Sequence, residues 1–381
     1  MDRRDRFRGC LIGGAAGDAL GYTVEFWTES HIFQMFGEKG ITPADFTPAT
    51  ARISDDTQMT LFTAAGLTAA AKWPIWEDVH AAAIGDAYLD WLHTQSEGER
   101  RSSLWEDWLL DVPGLYQWRA PGNTCLGALR SGSFGSIEKP INNSKGCGGV
   151  MRVAPCGLHF SVAARAARVG AEAAAITHGH PLAQLPAAML AAMVSDLTWR
   201  ETSVADAAAN ALETVRQEFE GMAYLDDFTE LMQRAVWLAG RTELSDLEAV
   251  HRLGEGWVGD EALAIAVCCA LRHPEDFNAA LVAAVNHKGD SDSTGAIAGN
   301  IVGAHLGLSG IPHENTDVLE LRDVIQGRGR AVRKHTPIKQ AGRREAARLF
   351  AAESRGCPGA RSGARDRRGV LFGPLYRSSR K

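Results

Sequence analysis

The chain has 381 residues, 45% of them hydrophobic, and a formal net charge of −6. Its mean hydropathy is −0.15 and no apolar run reaches the roughly 18 residues that span a bilayer, which excludes a membrane-embedded protein and leaves room for a large core. Residues 354–381 hold eight basic and one acidic residue, +7, so residues 1–353 carry −13, and that acidic body argues against a duplex-binding surface.

The opening Met1-Asp2-Arg3-Arg4-Asp5-Arg6 has no signal-peptide pattern. Seven cysteines, an odd number without paired metal-ligand spacing, fit reduced thiols, so a cytoplasmic protein is expected. The first helix is expected over residues 5–21, with Gly9, Gly13, Gly17 and Gly21 four apart on one face and Glu25 just beyond its end. Apolar residues recur at helical spacing over 56–71, 76–94, 161–175, 182–198, 203–220, 225–239, 259–271, 276–285 and 316–325. Pro74, Pro181, Pro274 and Pro312 punctuate their ends, and Cys268 and Cys269 read as small core residues. A second stripe, Gly295, Gly299, Gly303 and Gly307, lies near the end. Glycine inside a helix costs about 1 kcal/mol against alanine, so four on one face imply a closely packed backbone, and the two stripes are expected to pack together. No series of alternating β-branched segments occurs; the fold class is all-α, without a fixed-period repeat.

Two helix starts share a cluster of hydroxyls and carboxylates. Asp290, Ser291, Asp292, Ser293 and Thr294 precede the second stripe, and Ser54, Asp55, Asp56 and Thr57 open the helix at 56–71. Serine and aspartate are favoured helix caps. A cap needs one side-chain oxygen, however, and each site offers at least three, as hard cations such as Mg²⁺ require. A third stretch, Gly146-Cys147-Gly148-Gly149-Val150-Met151-Arg152, exposes backbone N–H groups that can approach a phosphate, or else is a flexible turn. Thr177-His178-Gly179-His180-Pro181 reads as turn and capping residues rather than a zinc site. Asn123, after Pro121-Gly122, reads as a helix cap with a pocket role as the alternative.

These motifs in this order resemble the ADP-ribosylglycohydrolases, the dinitrogenase-reductase-activating and ADP-ribosyl-arginine hydrolase group, over residues 5–326. The resemblance rests on Gly17-Asp18-Ala19-Leu20-Gly21 with Glu25, on Ser54-Asp55-Asp56-Thr57, on residues 146–152, on Thr177-His178 and on Asp290-Ser291-Asp292-Ser293. It implies a compact orthogonal helical bundle with a central binuclear metal site. Two Mg²⁺ ions, with Mn²⁺ as an alternative, would be held by Ser54, Asp55, Asp56, Asp290, Asp292 and Ser293. The family often has threonine where Ser54 and Ser293 stand, and the oxygen ligand survives that change. Glu25 would gate the site or act as acid/base, with Asp55 and Asp56 as the other catalytic candidates. Asn123, Gly146, Cys147, Gly148, Gly149, Met151 and His178 would contact ADP-ribose. Some members carry an acid at the position of Asn123, which leaves its part in proton transfer open.

The domain expected is therefore residues 1–326, followed by a basic helical extension over 327–353 and a basic tail over 354–381 with a disorder-type composition. The family usually finishes with a more acidic helix. The expected activity is hydrolysis of mono-ADP-ribosylated protein, at arginine, reversing a transferase or toxin, with an immunity role compatible. Serine, a nucleic-acid base or a small metabolite are alternative acceptors, and a non-catalytic ADP-ribose-binding or transferase-blocking protein is the alternative class. The expected partner is the modified protein substrate, met by a monomer; the core is not expected to bind nucleic acid, and the tail is a solvated extension that could touch it.

Overall fold

A computed structural model of the chain describes residues 2–72, 79–96 and 108–327. The helices in order are α1 Arg3–Tyr22, α2 Glu29–Phe36, α3 Asp55–Ala70, α4 Val79–Thr94, α5 Asn123–Arg130, α6 Ala154–His159, α7 Ala163–Ala175 and α8 Pro181–Ser195. They continue with α9 Val204–Glu218, α10 Leu225–Ala239, α11 Asp246–His251, α12 Gly259–Arg272, α13 Phe277–Val285, α14 Ser291–Leu306 and α15 Arg322–Ile325. Among the described residues there is no strand, only one isolated bridge between Gly146 and Val258, so the all-α expectation holds. No described helix is long and apolar enough to cross a membrane.

The two glycine stripes form the most extensive helix pair among the described residues. The pairing is antiparallel: Gly9 faces Gly303, Gly13 faces Gly299, Gly17 faces Gly295, and Gly21 faces Ser291. At each glycine a methyl group would overlap a backbone carbonyl of the partner helix, so only hydrogen fits and the helices meet backbone to backbone. Beside the seam, the Asn300 amide donates to the Cys10 carbonyl at 2.8 Å, in the space a side chain at Gly14 would fill.

Residues 291–304 of α14 and 182–195 of α8 are buried on every face, which explains their lack of a polar side. The amphipathic α7, α9 and α10 cover them, each presenting an alanine- or leucine-rich face inward. Cys268 and Cys269 are core residues, and the six described cysteines are all free thiols.

Local reading failed in three places. The helix expected over 316–325 is a turn followed by the single turn α15, because Leu321 adopts φ +55°, which an α-helix cannot continue through. Asn123 is the first residue of α5, and Gly122, without a side-chain bond, is its cap. α2 and α11 are short and partly solvated, so their apolar periodicity was too brief to read. Pro74, the start of the helix expected over 76–94, and the extension and tail beyond residue 327 lie outside the described residues.

Candidate active site

Three helix ends converge where the seam stops. The antiparallel pairing lays the C-terminus of α1 against the N-terminus of α14, and Asp18 on α1 draws in the start of α3. Its buried carboxylate accepts from Ser54 N at 3.0 Å, from Thr57 N at 3.1 Å and from the Thr57 hydroxyl. Ser54 caps α3 by accepting from Asp56 N at 3.1 Å, and Asp290 caps α14 by accepting from Ser293 N at 3.4 Å. Capping is therefore present at both sites and leaves Asp55 and Asp56 over, while Asp292 Oδ1 also accepts from Ser293 N, at 2.9 Å. Asp55 Oδ2 accepts from Gly122 N at 3.2 Å and its own N–H donates to the Arg119 carbonyl at 3.1 Å, which docks the 119–123 loop beside the carboxylates.

These groups line a cavity of about 330 Å³. Glu25, Asp55, Asp56, Asp290, Asp292 and Ser293 form its acidic side. Opposite them stand Asn123, Gly146, Cys147, Gly148, Met151 and His178. Of the sequence candidates only Ser54 and Gly149 lie behind the wall, and Ser54 still hydrogen-bonds Asp292. Glu25, Asp290 and Asp292 each bring one carboxylate oxygen within 4.8 Å of the others.

So many buried carboxylates raise one another's proton affinity. Burial first, and then the charge of Asp292, push Asp55, Asp56 and Asp290 well above the ordinary carboxylate range. Asp292 is raised by burial, Asp18 reaches about 7, and Glu25 about 10, both through burial followed by Asp292. No lysine, arginine or histidine forms an ion pair with them among the described residues. Asp56 Oδ2, Asp290 Oδ2 and Glu25 Oε2 are buried without a hydrogen-bond partner. Unpartnered carboxylate oxygens converging on one space are the donor set that a hard divalent cation takes, so the residues fit a metal site.

The opposite wall is a short 3₁₀ turn over Cys147–Gly149, held to the segment before α12. Cys147 N donates to the Trp257 carbonyl at 3.2 Å, Gly149 N to the Gly146 carbonyl at 3.4 Å and Gly146 N to Ser144 Oγ at 3.4 Å, so of the glycine loop's N–H groups only that of Gly148 has no described acceptor. Burial and the neighbouring acids push the Cys147 thiol well up, so it stays protonated and is no nucleophile. His180 caps α8 through Nδ1, accepting from Leu182 N at 3.0 Å, while His178 faces the cavity.

The mouth carries an aromatic pair that the motif reading did not single out. Phe26, 69% exposed, stacks on Trp257 with ring centroids 5.6 Å apart and an interplanar angle of 22°. Phe26 sits at φ +68°, a conformation that costs a bulky residue energy. A phenylalanine next to Glu25 was the signal in the sequence for it, and its partner lies more than two hundred residues away.

Residues 1–344 match the ADP-ribosylglycohydrolase family. The chain is 27% identical over 329 residues to the ADP-ribosyl-[dinitrogen reductase] glycohydrolase of Rhodospirillum rubrum, covering 81% of this chain and 88% of the relative. It is 25% identical over 350 residues to ADP-ribosylhydrolase ARH3 of Mus musculus, covering 82% and 90%. A solved ADP-ribosylglycohydrolase-related protein complex superimposes with a TM-score of 0.57 at 22% identity, over 86% of this chain and 96% of that one, a likeness of fold. With a matching fold and a match across most of its length, the chain belongs to the ADP-ribosylglycohydrolase family.

Proposed function

We propose that the protein is a metal-dependent hydrolase that releases mono-ADP-ribose from modified protein, with arginine as the acceptor. The observation that carries this reading is the convergence of Glu25, Asp55, Asp56, Asp290 and Asp292 on one cavity wall, with a glycine turn and His178 on the other. Ser54, Asp55, Asp56, Asp290, Asp292 and Ser293 are the residues we assign to two Mg²⁺ ions, with Mn²⁺ able to replace them. When bound, such cations neutralise the carboxylates and make water nucleophilic near neutral pH.

Cleavage of a ribosyl C–N bond passes through an oxocarbenium-like state, and the leaving group needs a proton. Glu25 is the residue we assign to that proton, since its carboxyl lines the cavity beside Asp55, Asp290 and Asp292 with Oε2 buried and unpartnered. Asp55 and Asp56 hold and orient the attacking water, Gly148 offers its backbone N–H to the diphosphate while Gly146 leaves room for its approach, and Asn123 and Met151 bound the ribose.

Arginine is favoured by the mouth. A guanidinium is planar and cationic, and it would meet the exposed Phe26–Trp257 face. The net −13 of residues 1–353 adds an attractive field.

The test is incubation of the full chain with arginine-linked and serine-linked ADP-ribosyl protein, with and without EDTA. Chelation is expected to abolish release and Mg²⁺ to restore it. Release from arginine is expected to be the faster and to slow as salt rises from 0.05 to about 0.5 M, where the screening length falls below about 5 Å. Faster release from serine would reverse the acceptor assignment and leave the metal site standing.

A further inference from the structure

Beneath the cavity wall lies a positive charge with no counter-ion among the described residues. Arg152 is fully buried. Its guanidinium donates to the Ala173 carbonyl at 3.1 Å and to Thr177 Oγ1 at 2.6 Å, and it lies 3.4 and 3.3 Å from the sulfurs of Met59 and Cys125. The Tyr88 ring covers one face, 4.2 Å from the guanidinium carbon, and Nε has no partner. None of these neighbours is a carboxylate. A buried cation kept without an anion is costly to the fold, so its contribution has to be sought elsewhere.

Thr177 passes the influence of that charge to the cavity. Because its oxygen accepts from Arg152, its own hydrogen has to go to another acceptor, and His178 Nδ1 stands 2.8 Å away. The Cys125 sulfur, also beside Thr177, is the weaker acceptor of the two. A neutral imidazole that accepts at Nδ1 carries its hydrogen on Nε2. Burial, and then the Arg152 charge, hold the ring neutral by lowering its pKa to about 3. Nε2 faces the glycine turn, 3.4 Å from where a methyl on Gly146 or Gly148 would stand, and no described hydrogen bond takes it up.

We propose that Arg152 and Thr177 are positioning residues that lock His178 as an Nε2–H donor aimed at an anionic group in the cavity, which on the functional reading above is the diphosphate of ADP-ribose. The unpaired guanidinium selects an anion over a neutral or cationic group, and the threonine hydroxyl converts that charge into a fixed tautomer. His178 touches the ligand; Arg152 and Thr177 act only through it.

The deciding measurement is the imidazole ¹⁵N spectrum of the Mg²⁺-loaded full chain, with the His178 signals assigned by their loss in His178→Gln. A protonated Nε2 and a bare Nδ1 are expected, and a protonated Nδ1 overturns the proposal without any variant having to fold. Calorimetry then compares ADP with adenosine. Thr177→Val is expected to weaken ADP about tenfold, the scale of one charge-assisted hydrogen bond, and to leave adenosine unchanged, while Thr177→Ser restores ADP. Equal loss of both ligands, or no loss of ADP, also overturns it. If the unmodified protein binds no ADP-ribose, the functional reading fails instead, and the imidazole spectrum still decides the tautomer.

Discussion

The seam between α1 and α14 and the acidic cluster at its end use the same two helices for opposite purposes. Along the seam Gly9, Gly13, Gly17 and Gly21 each face a backbone carbonyl of the partner helix, and each leaves only the room that a hydrogen needs. At its end, Asp290 and Asp292 face Glu25, Asp55 and Asp56, and three of their oxygens have no partner. The seam gains stability from dispersion and close approach, whereas the cluster spends stability by burying like charges together. A well-packed seam can hold such a cluster in place because it needs no help from it.

That contrast can be broken most sharply at the cluster. Asp56→Asn and Asp292→Asn are each expected to cut turnover by about two to three orders of magnitude, the scale of about 3–4 kcal/mol in a transition state. Because the change removes a repelling charge, the melting temperature of the chelated protein should stay level or rise. Asparagine caps helices as well as aspartate does, so a purely capping role would leave the rate almost unchanged. Steady-state rates alongside calorimetry of the chelated protein separate the two.

The seam should answer in the reverse sense. Gly17→Ala adds a methyl that overlaps the Gly295 carbonyl, and overpacking of this kind costs about 1–3 kcal/mol, more than the roughly 1 kcal/mol that alanine gains in helix propensity. A lower denaturation midpoint is expected, with the m-value unchanged. A stabilised Gly17→Ala protein would mean that the helices can separate at no cost.

The cluster should also answer to pH. A carboxyl whose folded pKa lies above its unfolded value near 4 favours folding while protonated; that contribution is complete below about pH 4 and is lost as pH rises through the folded value. With Asp18 at about 7 and Glu25 at about 10, the chelated protein should lose stability between pH 5 and 8. Asp292→Asn should flatten that slope, since Asp292 is the second-largest cause of both shifts. Thermal scans across that range check it, and an unchanged slope would remove the charge-repulsion account.

The sequence by itself determined whatever depends on short-range periodicity and cap chemistry. The four-residue glycine spacing announced close helix contact, and the hydroxyl–carboxylate clusters at 54–57 and 290–294 announced two helix starts with surplus oxygens, because both patterns are complete within one or two turns. Asp18 was visible as a motif residue, yet its work as the acceptor for Ser54 and Thr57 exists only once α1 and α3 meet. The Phe26–Trp257 pair, the buried Arg152 and its path to His178 through Thr177 likewise join segments distant in the chain, and no local pattern encodes such contacts. The failed helix at 316–325 has the same origin. Its apolar spacing suits a helix, but Glu320 is drawn to Ile53 N at 3.1 Å and to Arg119 at 3.0 Å, and that tertiary tie lies beside the left-handed turn at Leu321. Local propensity, worth tenths of a kcal/mol per residue, was outweighed there by contacts that only the folded chain could make.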